Sequence, residues 1–344
     1  MHAWEKSLNA SVTSPEELAG LFRVDAAALS GVVERYPMRI TPYYLSLIRE
    51  PGDAIWRQCV ADPAELADLS QSPDPLDEER LSPVPGLIHR YPDRVVWIAS
   101  ASCAVYCRFC MRKRGVGCAG MQVAPQNEAL EYLAAHPEIR DVILSGGDPL
   151  LLSDERLEDL LSGLRRIPHL EIVRIGTRVP VTLPERVTPK LAALLKRFHP
   201  LFINTHFNHP DEITEQAARA CALLADAGIP LGNQSVLLKG VNDDPQVMRR
   251  LMQKLLYLRV RPYYLHQMDL VKGTAHFRTP LARGVEVLKA LRGHTSGLAV
   301  PHYVIDLPGG KGKVEVSAEC VRREGSRLVV TTYTGETLEY QDIS

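Results

Sequence analysis

Between residues 94 and 269 short β-branched runs alternate with longer amphipathic ones, and this alternation restricts the fold more than any other feature of the chain. The strand candidates are RVVWIAS (94–100), DVILSGG (141–147), EIVRIGTR (171–178), LFINTHF (201–207), PLGNQSVLL (230–238) and RPYYLHQMD (261–269). Helical patterns lie between most of them. DERLEDLLSGLRRI puts Leu157, Leu160, Leu161, Leu164 and Ile167 on one face at helical spacing. TPKLAALLKRF opens with Thr188 and Pro189 as cap and first turn, and EITEQAARACALLADAG stops at the capping Gly228. Repeated βα units predict an α/β protein with a parallel sheet, and six of them form an open or partial barrel. Such sheets bind ligands at the carboxyl ends of their strands. Those ends carry Cys103, Asp148, Arg178, His206 with Asn208, the triplet Asn233, Gln234 and Ser235, and Asp269. One polar strand end reads as a helix cap; six in succession predict a shared site.

The flanks differ. Residues 1–85 read as a helical, Pro-punctuated segment, in which SPEELAGLF offers Ser14 as N-cap and Pro15 in the first turn. SQSPDPLDEERLSPVPG (70–86) reads as a polar connection into the barrel at 86–295. In the C-terminal segment, 296–344, the stretches VPHYVIDLPGGKGKVEV, RLVVTTYTG and TLEY predict short antiparallel strands, with TGET as a hairpin turn.

With 344 residues, 45% of them hydrophobic and 24% charged, the chain has the composition of a soluble globular protein. A net charge of -1 argues against nucleic acid as a partner. MHAWEKSLNA lacks the apolar core of a signal peptide, and no apolar run reaches the ~18 residues of a membrane span. A cytoplasmic location without membrane attachment is expected. The seven cysteines are odd in number, which argues against a disulfide framework. Cys59, Cys221 and Cys320 stand alone and read as small buried hydrophobes.

The other cysteines carry chemistry. SCAVYCRFCMRKRG (102–115) places Cys103, Cys107 and Cys110 at C-x3-C-x2-C spacing after the first predicted strand. A structural zinc site needs four ligands and would recruit Cys118, as would a four-cysteine iron–sulfur cluster. Neither reading accounts for the unpaired spacing or for the βα repeats that follow. A [4Fe–4S] cluster with three protein ligands and one open iron does.

CAVYCRFC and SGGD at the end of the second strand resemble the radical S-adenosylmethionine (SAM) superfamily. The resemblance implies that the open iron chelates SAM, and that reductive cleavage yields a 5′-deoxyadenosyl radical. It also implies that Asp148, or the backbone of Gly146 and Gly147, holds the methionyl amino group, with His206 and Gln234 near SAM. Longer stretches are similar to the lysine 2,3-aminomutase family from about residue 36 onward, among them MRITPYYLSLI, SPVPGLIHRYPDRV, VRIGTRVPVTLPERVTP, NTHFNHPDEIT, ADAGIPLGNQSVLLKGVND, VRPYYLHQMDL and VIDLPGGKGK. That family uses SAM and pyridoxal 5′-phosphate (PLP) on a partial (β/α)6 barrel.

The resemblance assigns further roles. Lys313, not Lys311, forms the resting Schiff base with PLP from the PGGKGK loop. Arg90, Tyr91 and Arg94 in HRYPDR contact PLP, the aromatic against the ring and Arg near the phosphate. Arg112 pairs with the substrate carboxylate, while Lys113 and Arg114 read as surface residues. Asp269 and Asp306 stand where the family reads the far end of the substrate. Two carboxylates in a closed pocket repel unless a cation lies between them, which a lysine ε-ammonium supplies and glutamate cannot. The implied activity is conversion of L-lysine to β-lysine, with SAM re-formed each turnover and a flavodoxin- or ferredoxin-type electron donor. A β-lysine-forming enzyme serving elongation factor P, or an aminomutase for another cationic amino acid such as arginine, is the alternative. A SAM-cleaving enzyme without PLP and an iron–sulfur electron carrier are the rivals. The chain ends at YQDIS, without the Cys-containing zinc-binding tail of longer members; with the helical N-terminal segment, this leads us to expect a homo-oligomer, a dimer, with no bound zinc.

Overall fold

The computed structural model describes residues 2–67, 70–118, 120–317, 320–324 and 327–340. Among these, nine strands form one sheet in chain order: β1 (Leu87–Tyr91), β2 (Arg94–Ser100), β3 (Asp141–Gly146), β4 (Ile172–Gly176), β5 (Leu201–Thr205), β6 (Leu231–Leu237), β7 (Val260–Gln267), β8 (His302–Asp306) and β9 (Lys313–Glu315). Strands β2 to β8 run parallel, and β1 and β9 add antiparallel edges. All six strand candidates are strands. Helices α7 (Gln126–Ala135), α8 (Asp154–Arg165), α9 (Val179–Thr182), α10 (Pro189–Lys196), α11 (Glu215–Asp226), α12 (Pro245–Tyr257) and α13 (Leu281–Leu291) lie between the strands. The antiparallel strands expected in VPHYVIDLPGGKGKVEV are β8 and β9, which pair antiparallel. They are not a separate cluster: α13 provides one more crossover and β8 also pairs in parallel with β7, so the sheet runs on across residue 296. A separate sheet holds β10 (Val321–Glu324), β11 (Arg327–Thr331) and β12 (Thr337–Tyr340), with the TGET turn closed by Thr332 N donating to Glu336 O at 2.8 Å.

Local sequence explains the elements. Ser153, Thr188, Thr214 and Asp244 each cap the helix they precede, and Gly228 ends α11 at φ +80°. One register row crosses the sheet through Trp97, Leu144, Ile175, Ile203, Leu231 and Val260, all buried. Leu160, Leu195, Leu224 and Leu255 of the helices join the same core. Each such leucine contributes about 1.5–3 kcal/mol by leaving water.

Side chains alternate along a strand, so the residues between these positions face the other way. That face is polar. It carries the Asp141–Arg174 pair at 2.7 Å, Ser145, Gln234 and His266. Polar side chains on the inner face of a curled sheet are what a ligand site there requires.

The sheet curls until its edges meet. Arg90 Nη1 on β1 lies 3.0 Å from Asp306 Oδ1 at the end of β8, and Lys313 N on β9 donates to Tyr91 Oη at 2.9 Å. The N-terminal segment holds six short helices: α1 (Ala3–Asn9), α2 (Pro15–Ala19), α3 (Ala26–Arg35), α4 (Pro42–Leu45), α5 (Ala54–Cys59) and α6 (Ala64–Ala67). It packs on the strand ends and on the cysteine loop, through Thr41 Oγ1 to Thr182 O at 2.6 Å and Arg108 Nη1 to Pro37 O at 2.8 Å. Among the described residues no helix is long and apolar enough to cross a membrane.

Candidate active site

The loop after β2 carries Cys103, Cys107 and Cys110 beneath the end of β3. Two glycines allow that approach. A Cβ on Gly146 would lie 2.1 Å from Ser100 O, and one on Gly147 2.4 Å from Ser102 O. Gly146 also has φ +143°, which other residues rarely adopt. Asp148 N then donates to Ser102 O at 2.7 Å. The three thiols are close enough to act on one another electrostatically. Burial pushes the Cys103 thiol well up, and the charges of Asp148, Cys110 and Cys107 push it further. Burial and the neighbouring Cys107 push Cys110 up to about 11. Thiols held protonated in this way at Cys103 and Cys110 fit a cationic iron–sulfur core, which replaces their protons. Among the described residues no three such side chains converge on one metal-ion position. In a cluster each thiolate bonds a different iron, so convergence on a point is not required. One cation is already present: Arg178 Nη1 lies 2.8 Å from Cys107 Sγ.

Asp148 is buried and its carboxylate is fully engaged. It accepts from Leu150 N at 3.0 Å, Thr177 Oγ1 at 2.7 Å, Arg178 N at 2.7 Å and Val179 N at 3.1 Å. Its side chain ties the ends of β3 and β4 together. The backbone of Gly146 and Gly147 is therefore the part of SGGD best placed to meet a ligand. His206, just past β5, packs against Phe109 with ring centroids 5.5 Å apart, and Phe109 lies between Cys107 and Cys110. His206 Nε2 is buried without a hydrogen-bond partner, and burial with the nearby Arg178 charge holds the ring well below its usual pKa. An orphaned neutral imidazole nitrogen beside the cysteine loop fits a polar ligand such as SAM. Gln234 lies on β6 in register with Tyr264 of β7.

The second corner forms where the sheet edges meet. HRYPDR, which reads alone as a surface turn, is the end of β1 and its hairpin, with Tyr91 paired to Arg94. Arg94 Cζ sits 4.2 Å from the Tyr91 ring centroid. Lys313 Nζ lies 2.8 Å from both carboxylate oxygens of Asp306. Asp306 also faces His266 Nδ1 at 3.5 Å. Burial alone would raise the Asp306 pKa, but the His266 hydrogen bond and the Lys313 charge hold it far below the usual carboxylate range. Asp269 differs. Burial and the Asp306 charge push it up to about 7, although Lys313 and Arg90 pull it down. An amine, an aromatic hydroxyl and two guanidinium groups in one corner fit a phosphorylated pyridoxal.

Between the two corners stands Arg112. Its Nε and Nη2 meet Glu78 at 2.9 and 2.7 Å, and Nη1 reaches Ser145 Oγ at 3.1 Å and Gly146 O at 3.3 Å. The fork expected for a substrate carboxylate thus holds a carboxylate of the chain itself. Lys113 is not a surface residue. It is 6% exposed, with Nζ 2.5 Å from Glu65 Oε2, and Arg108 shares the same carboxylate. The buried Glu65 requires both cations. Arg114 is partly covered and pairs with Asp74 at 3.1 Å and Glu79 at 3.1 Å. The connection 70–86 is therefore a strap over the cysteine loop, and Gly309 N donating to Pro75 O at 2.8 Å fastens it to the Lys313 loop. Sequence reading missed Glu78, Glu65 and His266. The signal for Glu78 was the acidic run DPLDEER facing the basic run RKR; Glu65 and His266 gave none.

Comparison with known proteins follows the same division. A model of the radical SAM superfamily matches residues 97–252, and one described as lysine-2,3-aminomutase matches 288–342. L-lysine 2,3-aminomutase from Clostridium subterminale is 48% identical over 98% of this chain and 84% of that protein. The enzyme of the same name from Methanococcus maripaludis is 50% identical over 91% of this chain and 74% of its own length. Glutamate 2,3-aminomutase from Clostridioides difficile is 41% identical over 96% and 80%.

Proposed function

Because the chain belongs to the lysine 2,3-aminomutase family of the radical SAM superfamily, it is an isomerase that moves the amino group of L-lysine from C2 to C3, and we propose that it does so where the first and last strands meet. It works with a [4Fe–4S] cluster, SAM and PLP. When bound, the first two supply a radical that removes hydrogen from C3, and PLP carries the migrating nitrogen. Cys103, Cys107 and Cys110 would hold the cluster. The backbone of Gly146 and Gly147, with His206 and Gln234, would hold SAM, and Asp148 keeps that cradle in shape. Lys313, Tyr91, Arg90 and Arg94 would hold PLP.

The remaining residues select the substrate. Arg112 offers a bidentate fork to the α-carboxylate, which must displace Glu78 to use it. Asp269 and Asp306 face the far end of the side chain. Lysine brings an ammonium, a second cation that competes with Lys313 for Asp306 and supplies Asp269 with the partner that its high pKa lacks. Glutamate brings a third negative charge to the same pocket. The observation that carries this reading is the Asp306 carboxylate set between Arg90 and Lys313 in the corner where Asp269 lies close enough to feel its charge. An external one-electron donor of flavodoxin or ferredoxin type and a homo-oligomeric state, a dimer, complete the proposal, as does a cytoplasmic location. Initial rates on lysine, arginine, ornithine and glutamate, measured side by side, test the selectivity. Lysine is expected to react fastest, and turnover of glutamate above lysine overturns the pocket assignment.

A further inference from the structure

Arg178, at the end of β4, has an unusual set of partners. Nη1 meets Cys107 Sγ at 2.8 Å, Nε donates to His206 O at 3.1 Å, and Nη2 lies 2.6 Å from Gln58 Oε1, 2.7 Å from Glu212 Oε1 and 3.0 Å from Tyr44 Oη. The side chain is buried, and its guanidinium lies over the rings of Tyr44 and Phe109, 5.3 Å from each centroid. Glu212 is itself fixed, accepting from Tyr44 Oη at 2.7 Å, Asn208 N at 2.6 Å and His209 N at 2.9 Å. The guanidinium cannot rotate away from the sulfur without breaking this set, and it cannot lose its charge.

We propose that Arg178 sets the reduction potential of the iron–sulfur cluster, by fixing a permanent positive charge and a hydrogen-bond donor on the Cys107 sulfur. The inference rests on the assignment of Cys107 as a cluster ligand. Reduction adds one electron, taken from an external one-electron reductant, to a site whose charge is spread over its sulfurs. No bond forms or breaks. A donor and a cation at the sulfur stabilise the reduced state and move the potential upward, and hydrogen bonds to sulfur and local net charge are established determinants of that potential. Burial keeps the charge effective. Glu212, on the far side of the guanidinium, opposes it. Arg178 is thus a positioning residue with an electrostatic role, and its backbone N, on Asp148, links the same residue to the SGGD turn.

The test is an EPR-monitored redox titration of the anaerobically reconstituted full chain with dithionite, without SAM or substrate. Arg178→Met is expected to shift the midpoint to more negative potential by about tenfold in the one-electron equilibrium, about 59 mV. Arg178→Lys keeps the charge without the fork and falls between. Glu212→Gln leaves the Arg178 charge unopposed and shifts the midpoint the other way. Opposite signs support the proposal, because a general loosening of the loop moves both variants alike. An unchanged midpoint in Arg178→Met at full iron and sulfide content overturns it. So does a shift of the same sign in Arg178→Met and Glu212→Gln, or loss of the cluster from Arg178→Met and Arg178→Lys alike, which assigns the side chain to cluster retention. A wild-type chain that assembles no cluster sinks the cluster assignment itself, and the inference with it.

Discussion

The ammonium of Lys313 lies 2.8 Å from both carboxylate oxygens of Asp306, its register partner across the β8–β9 turn. The turn between them, Leu307 to Gly312, contains three glycines at positive φ, so only this loop geometry brings the two side chains together. One carboxylate therefore organises the amine expected to bind PLP and stands in the pocket expected to take the substrate ammonium.

Lys313 is accordingly expected to carry the cofactor. Borohydride reduction of the PLP-loaded chain, followed by peptide mapping, should label Lys313, and Lys313→Ala should lose the pyridoxal absorbance while Lys311→Ala keeps it. A label on Lys311 reverses the assignment.

Asp269 titrates near pH 7, from burial and the adjacent Asp306 charge. Below that pH it is protonated and loses its attraction for an ammonium, so KM for lysine should rise as pH falls from 8 to 6. Asp269→Asn should flatten that profile and raise KM about 100-fold, the cost of truncating one side of a buried charge pair. Stability gives an independent sign. The unfolded side chain loses its proton near 3.8, whereas the native one keeps it to about 7. Between those values the native state binds more protons, so this group's contribution to stability falls as pH rises through the window. Ligand-free Asp269→Asn should melt above wild type at pH 8 and level with it at pH 4. A wild-type pH profile retained in Asp269→Asn would remove Asp269 from substrate binding.

Glu78 occupies the Arg112 fork and also adds to the negative field on Asp269. Glu78→Gln should compete less well with the substrate carboxylate and lower KM for lysine several-fold, with Arg114 still held by Asp74 and Glu79. An increased KM instead makes Glu78 a support that orients Arg112 rather than a competitor.

The strands were legible because each couples a period-two apolar row to a helix of period 3.6, as Trp97 and Leu144 do against Leu160. The glycine positions were legible because their chemistry is local: Gly146 and Gly147 stand for close backbone approach. The strap was not. Its residues 70–86 lack periodicity, and what they do depends on ion pairs formed across 34 residues or more of chain, such as Glu78 with Arg112. The same limit hid the burial of Lys113, whose partner Glu65 lies 48 residues away. The parallel pairing of β8 was not legible because it is decided by α13 and the neighbouring β7, not by the strand's own residues.

As a lysine 2,3-aminomutase, this chain moves the nitrogen of L-lysine from C2 to C3. The most direct measurement is NMR of L-lysine labelled with ¹³C and ¹⁵N, incubated with the anaerobically reconstituted chain, SAM, PLP and dithionite. The expected product is β-lysine with the original α-nitrogen bonded to C3. Cleavage of SAM to 5′-deoxyadenosine with the lysine recovered unchanged would contradict it.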